Sequence, residues 1–65
     1  MDFFAKFGER QSVMVRRANA HYLLGLGYQG KGNLDEAKNE FKRALELNIN
    51  HLGAKHHLAR LNRMK

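Results

Sequence analysis

Residues Gly25 to Phe41 read GLGYQGKGNLDEAKNEF, and where helix breaks inside this stretch decides the fold. Gly25, Gly27, Gly30 and Gly32 crowd a neighbourhood whose other residues favour helix. Gly30-Lys31-Gly32 offers a left-handed stop, because glycine has no Cβ to clash in that conformation. Asn33 then stands where a side-chain oxygen can cap the free amides of a new helix. Glu36, three residues on, can reach back to it in a capping box. From Leu34, the residues Ala37, Phe41, Ala44 and Leu45 recur at spacings of three and four, which puts them on one helical face. Gly25 and Gly27 need a different reason, since a glycine inside a helix costs about 1 kcal/mol against alanine. Close approach of a bulky ring is the expected one for Gly25, and Phe41 is the ring nominated.

Outward from this stretch the same pattern continues. Val13 to Tyr28 carries Val13, Val15, Ala18, Ala20, Tyr22, Leu23, Leu24 and Leu26, apolar over more than half a helical circumference. Downstream, Asn48-Ile49-Asn50 reads as a second short turn. Asn50 is the expected cap of a third helix with Leu52, Ala54, Leu58, Ala59 and Leu61 as its apolar positions. Proline is absent and β-branched residues are few, so propensity agrees with an all-α chain: helix, tight turn, helix, tight turn, helix.

At 65 residues the chain forms one small domain at most, or a piece of a larger protein. Its core is expected to be marginal, because a domain this size buries only about 60% of the surface its unfolded chain exposes. There is no cysteine, which excludes a disulfide framework and a thiolate metal site. The start of the chain has neither a basic run nor a long apolar core, so no signal peptide is expected, and with the lack of cysteine this favours the cytoplasm. No apolar run approaches the roughly 20 residues that span a bilayer.

The net charge of +6 raises a basic nucleic-acid or acidic-surface binding module as an alternative function. The basic residues are scattered over the whole chain, however. Only Arg16-Arg17 and Lys42-Arg43 are adjacent pairs, and neither is interleaved with aromatics as a base-stacking surface requires. Nor does chemistry announce itself. His51, His56 and His57 are spaced by five and one, whereas ligands on one helix face stand three or four apart, so no metal site is expected. Ser12 is the single serine, no nucleophile has an evident base, and the glycines at 25–32 lack the Lys-Ser or Lys-Thr ending of a phosphate loop. The expectation is no catalytic residue and no cofactor.

The order Leu24-Gly25, Tyr28, Gly32, Ala37, Phe41, Ala44, ending near Asn48-Ile49-Asn50, resembles the tetratricopeptide repeat (TPR). One full period of 34 residues runs from Ala18 to His51, and Leu58-Ala59 echoes Leu24-Gly25 at that same interval. Departures are His21 at the usual Trp position, Ile49 at the usual proline, and a second period cut short after one helix. The resemblance implies an antiparallel helix-turn-helix hairpin with a third, capping helix: full repeat 18–51, capping helix 52–65, a three-helix unit 13–65 and an amino-terminal extension 1–12. It also implies a protein-interaction scaffold whose partner is a protein or peptide. Carried over position by position, the partner groove comprises Asn19, Tyr22, Leu23, Leu26 and Gln29, then Gly53, His56, Arg60 and Arg63. Tyr22 and Leu26 stand where members that clamp acidic peptide tails present Lys and Asn, so that specialised role is not implied.

One and a quarter repeats leave apolar surface over, since repeats bury their faces against neighbours. Phe3, Phe4, Phe7, Val15, Tyr22 and Leu26 are the expected self-association residues, in a homodimer or higher oligomer. The competing expectation is that residues 1–12 fold back and cover the groove of their own chain.

Overall fold

In a computed structural model the backbone is described for residues 2–63 and side chains for residues 12–63. Three helices follow one another: α1 (Asp2–Gly30), α2 (Leu34–Leu47) and α3 (Leu52–Arg63). Among the described residues there is no strand. α1 and α2 form an antiparallel hairpin, and α3 packs chiefly on α2. Among the described residues no helix is long and apolar enough to cross a membrane.

The break between α1 and α2 falls where the glycines place it. Gly32 is the one described residue with positive φ, +85°. Its N–H donates to the Gln29 carbonyl (3.1 Å) and the Asn33 N–H to the Tyr28 carbonyl (2.9 Å). These paired bonds are a Schellman stop with glycine at the left-handed position, and they satisfy carbonyls that the helix end would otherwise leave free. The restart differs from expectation. Asn33 precedes α2 and its carbonyl accepts the Ala37 N–H (3.0 Å), but its side chain makes no capping bond, so the capping box with Glu36 is not closed. Asp35 and Glu36 still occupy the first turn, where the helix dipole favours negative charge.

The turn into α3 is also capped differently. The Asn48 carboxamide oxygen accepts the Asn50 N–H (3.2 Å), an Asx turn, and His51 rather than Asn50 caps the helix. Nδ1 of His51 accepts the Ala54 N–H at 3.1 Å, three residues on, the relation of an N-cap to N3.

The core is small. Ala18, Ala37, Phe41, Ala44, Ala54 and Leu61 are fully or almost fully buried, with Tyr22, Leu26, Tyr28, Leu34, Leu45, Leu47 and Leu58 packed around them. The apolar face read for α2 is therefore its buried face. On α3, Ala54, Leu58 and Leu61 turn inward, but Leu52 is 77% exposed and Ala59 is exposed. Among the described residues nothing covers that outer side of α3.

Gly25 does what close approach requires. A Cβ built on it would lie 2.5 Å from the Phe41 ring, a separation real atoms do not tolerate. At Gly27 a Cβ would meet nothing, so that glycine opens a surface rather than admitting a neighbour.

The first helix starts earlier than the expected Val13. It runs unbroken from Asp2 for 29 residues, against 14 for α2. At about 1.5 Å per residue that is roughly 43 Å against 21 Å, which accounts for a molecule 49 Å long and 18 by 13 Å across. Residues 2–12 continue the helix axis, so they do not fold back over the groove. The side chains of Phe3, Phe4 and Phe7 lie outside the described residues.

Two outcomes follow. Gly25→Leu forces a side chain into the Phe41 ring and is expected to destabilise by about 1–3 kcal/mol, read as a lowered midpoint in thermal unfolding by circular dichroism. Gly32→Ala strains the left-handed position and is expected to cost about 1 kcal/mol, whereas Asn33→Ala, with no capping bond to lose, should shift urea unfolding far less than Gly32→Ala.

Candidate functional site

Two elements frame the expected groove, the middle of α1 and the start of α3, and one side chain joins them. Tyr22 is half-buried. Its ring lies 5.8 Å from Phe41, 4.7 Å from His51 and 5.7 Å from His57, centroid to centroid. It presses on Gly53 so closely that a Cβ there would sit 2.8 Å from the ring. Tyr22 is therefore the strut that sets α3 against α1, with Gly53 as its seat.

Asn19 is taken up in the same joint. His51 uses Nδ1 to accept the Ala54 N–H, so the proton of the neutral ring is on Nε2, and this donates to the Asn19 carboxamide oxygen at 2.8 Å. One imidazole thereby caps α3 and ties it to α1. His57 stacks on Phe41, centroids 5.4 Å apart and planes within 23°, and serves as an aromatic wall of the core. His21, in the position expected to carry Trp, meets Glu40 of α2 with Nδ1 to Oε1 at 2.6 Å, a polar link across the hairpin. Among the described residues no three His, Cys, Asp or Glu side chains converge as a metal site would need.

The other groove positions divide. Leu26 packs partly against the core, and Gln29 is half-buried with its Oε1 lacking a hydrogen-bond partner. His56, Arg60 and Arg63 are exposed along α3. Leu23 leaves the group altogether. It lines, with Leu24, Gly27, Tyr28 and Lys31, a cleft on the outer side of α1.

The 34-residue echo gives that outer side a meaning. Ala54, His57, Leu58 and Leu61, the residues by which α3 packs inward, correspond to Ala20, Leu23, Leu24 and Gly27 of α1. On α1 these positions are exposed, Leu23 by 63% and Leu24 by 52%. The repeat thus presents one open face before α1 and another beyond α3, at Leu52 and Ala59. A second cleft lies at the far end of α2, between Met14, Val15, Leu47, Asn48 and Ile49. Met14 and Val15 are 43% and 44% exposed and Ile49 is 72% exposed.

A two-helix hairpin capped by a third helix, with open faces repeating at a fixed interval, defines a helical-repeat unit of the solenoid class. The tetratricopeptide-repeat family model matches residues 18–51, 34 of the 65 residues, and the chain belongs to that family. No curated protein and no solved structure gives a significant match. Members of this family generally mediate protein–protein interaction.

Sequence reasoning missed the roles of Gly53 and His51. The signal for Gly53 was available: a glycine in the first turn of a helix invites the question already asked of Gly25, and the Tyr22 ring answers it. For His51 there was less to see, because histidine is an uncommon cap. Its role is testable. His51→Ala should lower stability by about 1 kcal/mol through loss of the cap. His51→Asn, which can still accept the Ala54 N–H, should recover most of the lost thermal midpoint.

Proposed function

We propose that this chain is a protein-interaction scaffold with no chemistry of its own, and that it associates with itself through the apolar side of α1 that runs past the end of α2. The observation carrying this reading is the exposure of Met14 and Val15 where that helix leaves its partner. At 3.6 residues per turn, positions 3, 4, 7, 14 and 15 fall on the same side of α1 as Ala18 and Gly25, the side that packs on α2. The apolar face thus continues where the covering helix stops. Tyr22 and Leu26, also expected in the contact, are already engaged with α3 and the core, so the weight falls on Phe3, Phe4, Phe7 and Val15, joined by Met14.

The basic residues favour no second reading. Arg16, Arg17, Lys42, Arg43, Arg60 and Arg63 are exposed on all three helices rather than gathered on one. A charge of +6 on each copy opposes pairing, so association should strengthen as salt screens that repulsion. Equilibrium sedimentation through the micromolar range, beside a Met14→Glu, Val15→Glu double variant, tests the reading. A wild type that associates, more strongly in high salt, and a folded variant that does not are the expected results. A wild-type monomer throughout would overturn it.

A further inference from the structure

We infer that the outer side of α1 receives an acidic amphipathic helix of another protein, with an aromatic ring of that helix seated at Gly27. This rests on the interaction-scaffold reading and gives the partner its chemistry, on a surface separate from Met14 and Val15. The molecule itself shows what such a side is built against. Ala54, His57, Leu58 and Leu61 turn inward from α3, where Ala54 and Leu61 are buried and His57 stacks on Phe41 of α2. One repeat earlier, Ala20, Leu23, Leu24 and Gly27 hold the same places on α1 and are exposed. The open side of α3 has not kept this character. Leu26 and Tyr28, which help to pack α1 inward, are matched there by Arg60 and Asn62. Of the two open faces, only the one on α1 still presents the residues that receive a helix.

One difference within the echo specifies the occupant. Leu61 fills the inner side of α3 and is 1% exposed, whereas its counterpart Gly27 leaves a gap. A Cβ there would meet nothing within 4 Å, and Leu23, Leu24, Tyr28 and Lys31 line a cleft around it. A helix that covers α1 must therefore bring the bulk that Leu61 supplies in α3. Gly25 and Gly53 already show the arrangement, since each seats a ring, of Phe41 and of Tyr22, closer than a Cβ would allow. A glycine inside a helix costs about 1 kcal/mol against alanine, and a ring packed at Gly27 offsets that cost.

Charge sets the sign of the partner. The basic residues lie on all three helices, but the carboxylates do not. Beyond Glu9 every one of them, Asp35, Glu36, Glu40 and Glu46, is on α2. At 3.6 residues per turn Arg16 and Lys31 fall on the side of Ala20, Leu24 and Gly27, one at each end of the apolar stretch and roughly 22 Å apart. Both are exposed, and among the described residues the one ion pair is His21 with Glu40. A helix with carboxylates at both ends meets a cation at each, whereas a basic helix is repelled. α2 itself has this form, with Asp35 and Glu36 in its first turn, Glu46 near its end and Phe41 between them.

The probes are therefore synthetic helices with the sequence of residues 33–50, each stapled on the side away from Phe41 and carrying a fluorophore. The acidic probe has Lys42→Glu and Arg43→Glu. The basic probe has Asp35→Lys, Glu36→Lys and Glu46→Lys, and a third is the acidic probe with Phe41→Ala. Titration with the full chain, read by anisotropy, is expected to show saturable binding of the acidic probe, several-fold tighter than of the other two. Amide shifts in the chain should centre on Leu23, Leu24 and Gly27. Gly27→Leu fills the cleft without touching the core, and should weaken the acidic probe several-fold while the thermal midpoint holds or rises. No binding of the acidic probe, equal binding of the basic one, indifference to Gly27→Leu, or shifts centred on the seat of α2 would each overturn the inference. Sedimentation keeps the two readings apart. Self-association abolished by Leu24→Glu gives this side to a second copy and overturns the inference, whereas failure of the contact at Met14 and Val15 leaves the probe's binding as it is.

Discussion

Phe41 touches both of the other helices, and the spacing of the molecule is set by how close it can come. Its ring reaches the backbone of α1 because Gly25 has no side chain, lies near Tyr22 on the same helix, and receives the stacked ring of His57 from α3. Burying a ring of this kind contributes about 1.5–3 kcal/mol, a large share of what so small a domain has available. Ala18, Ala37, Ala44 and Ala54 complete the arrangement. Small residues around one large one let the helices approach closely enough for Phe41 to fill the space between them.

Much of this was legible in the residues, and the reasons it was legible are physical. The hairpin could be read because Gly32 is a conformational necessity, and the face of α2 could be read because burial repeats with the helical period. The seat of Phe41 at Gly25 followed from the cost of an unexplained glycine. What escaped was decided by contacts between distant segments. Asn33 had the composition of a cap, yet the Schellman bonds from Gly32 and Asn33 already order the turn, and its side chain is left without a capping partner. His51 had no local signature, since its value comes from bonding in two directions at once, to Ala54 and to Asn19. Of the expected groove, Tyr22 carried the family's position but not its exposure, because a tyrosine facing Gly53 is worth more as a strut. That the amino-terminal phenylalanines continue the first helix was one of two open expectations, the other being that they pack beside it, because Gly8 and the polar run Glu9-Arg10-Gln11-Ser12 interrupt the apolar pattern; the helix continues through them.

The two kinds of open surface on this chain lie on different sides of α1, and that separation matters for a scaffold. Ala20, Leu23, Leu24 and Gly27, the positions that match the packing residues of α3, look away from α2, whereas the exposed Met14 and Val15 share the side of Ala18 and Gly25. A contact at Met14 and Val15 would leave Leu23 and Leu24 uncovered, so the two surfaces do not compete for one partner. Association also bears on stability. A partner that binds only the folded chain adds RT ln(1 + [L]/Kd) to it, about 2.7 kcal/mol when the partner is present at 100 times Kd. For a core built on one phenylalanine, one leucine and four alanines, that increment is comparable to the whole contribution of Phe41. Were the chain to pair through Met14 and Val15, folding and pairing would be coupled, and Met14→Glu with Val15→Glu would lower the apparent stability at pairing concentrations without touching the core.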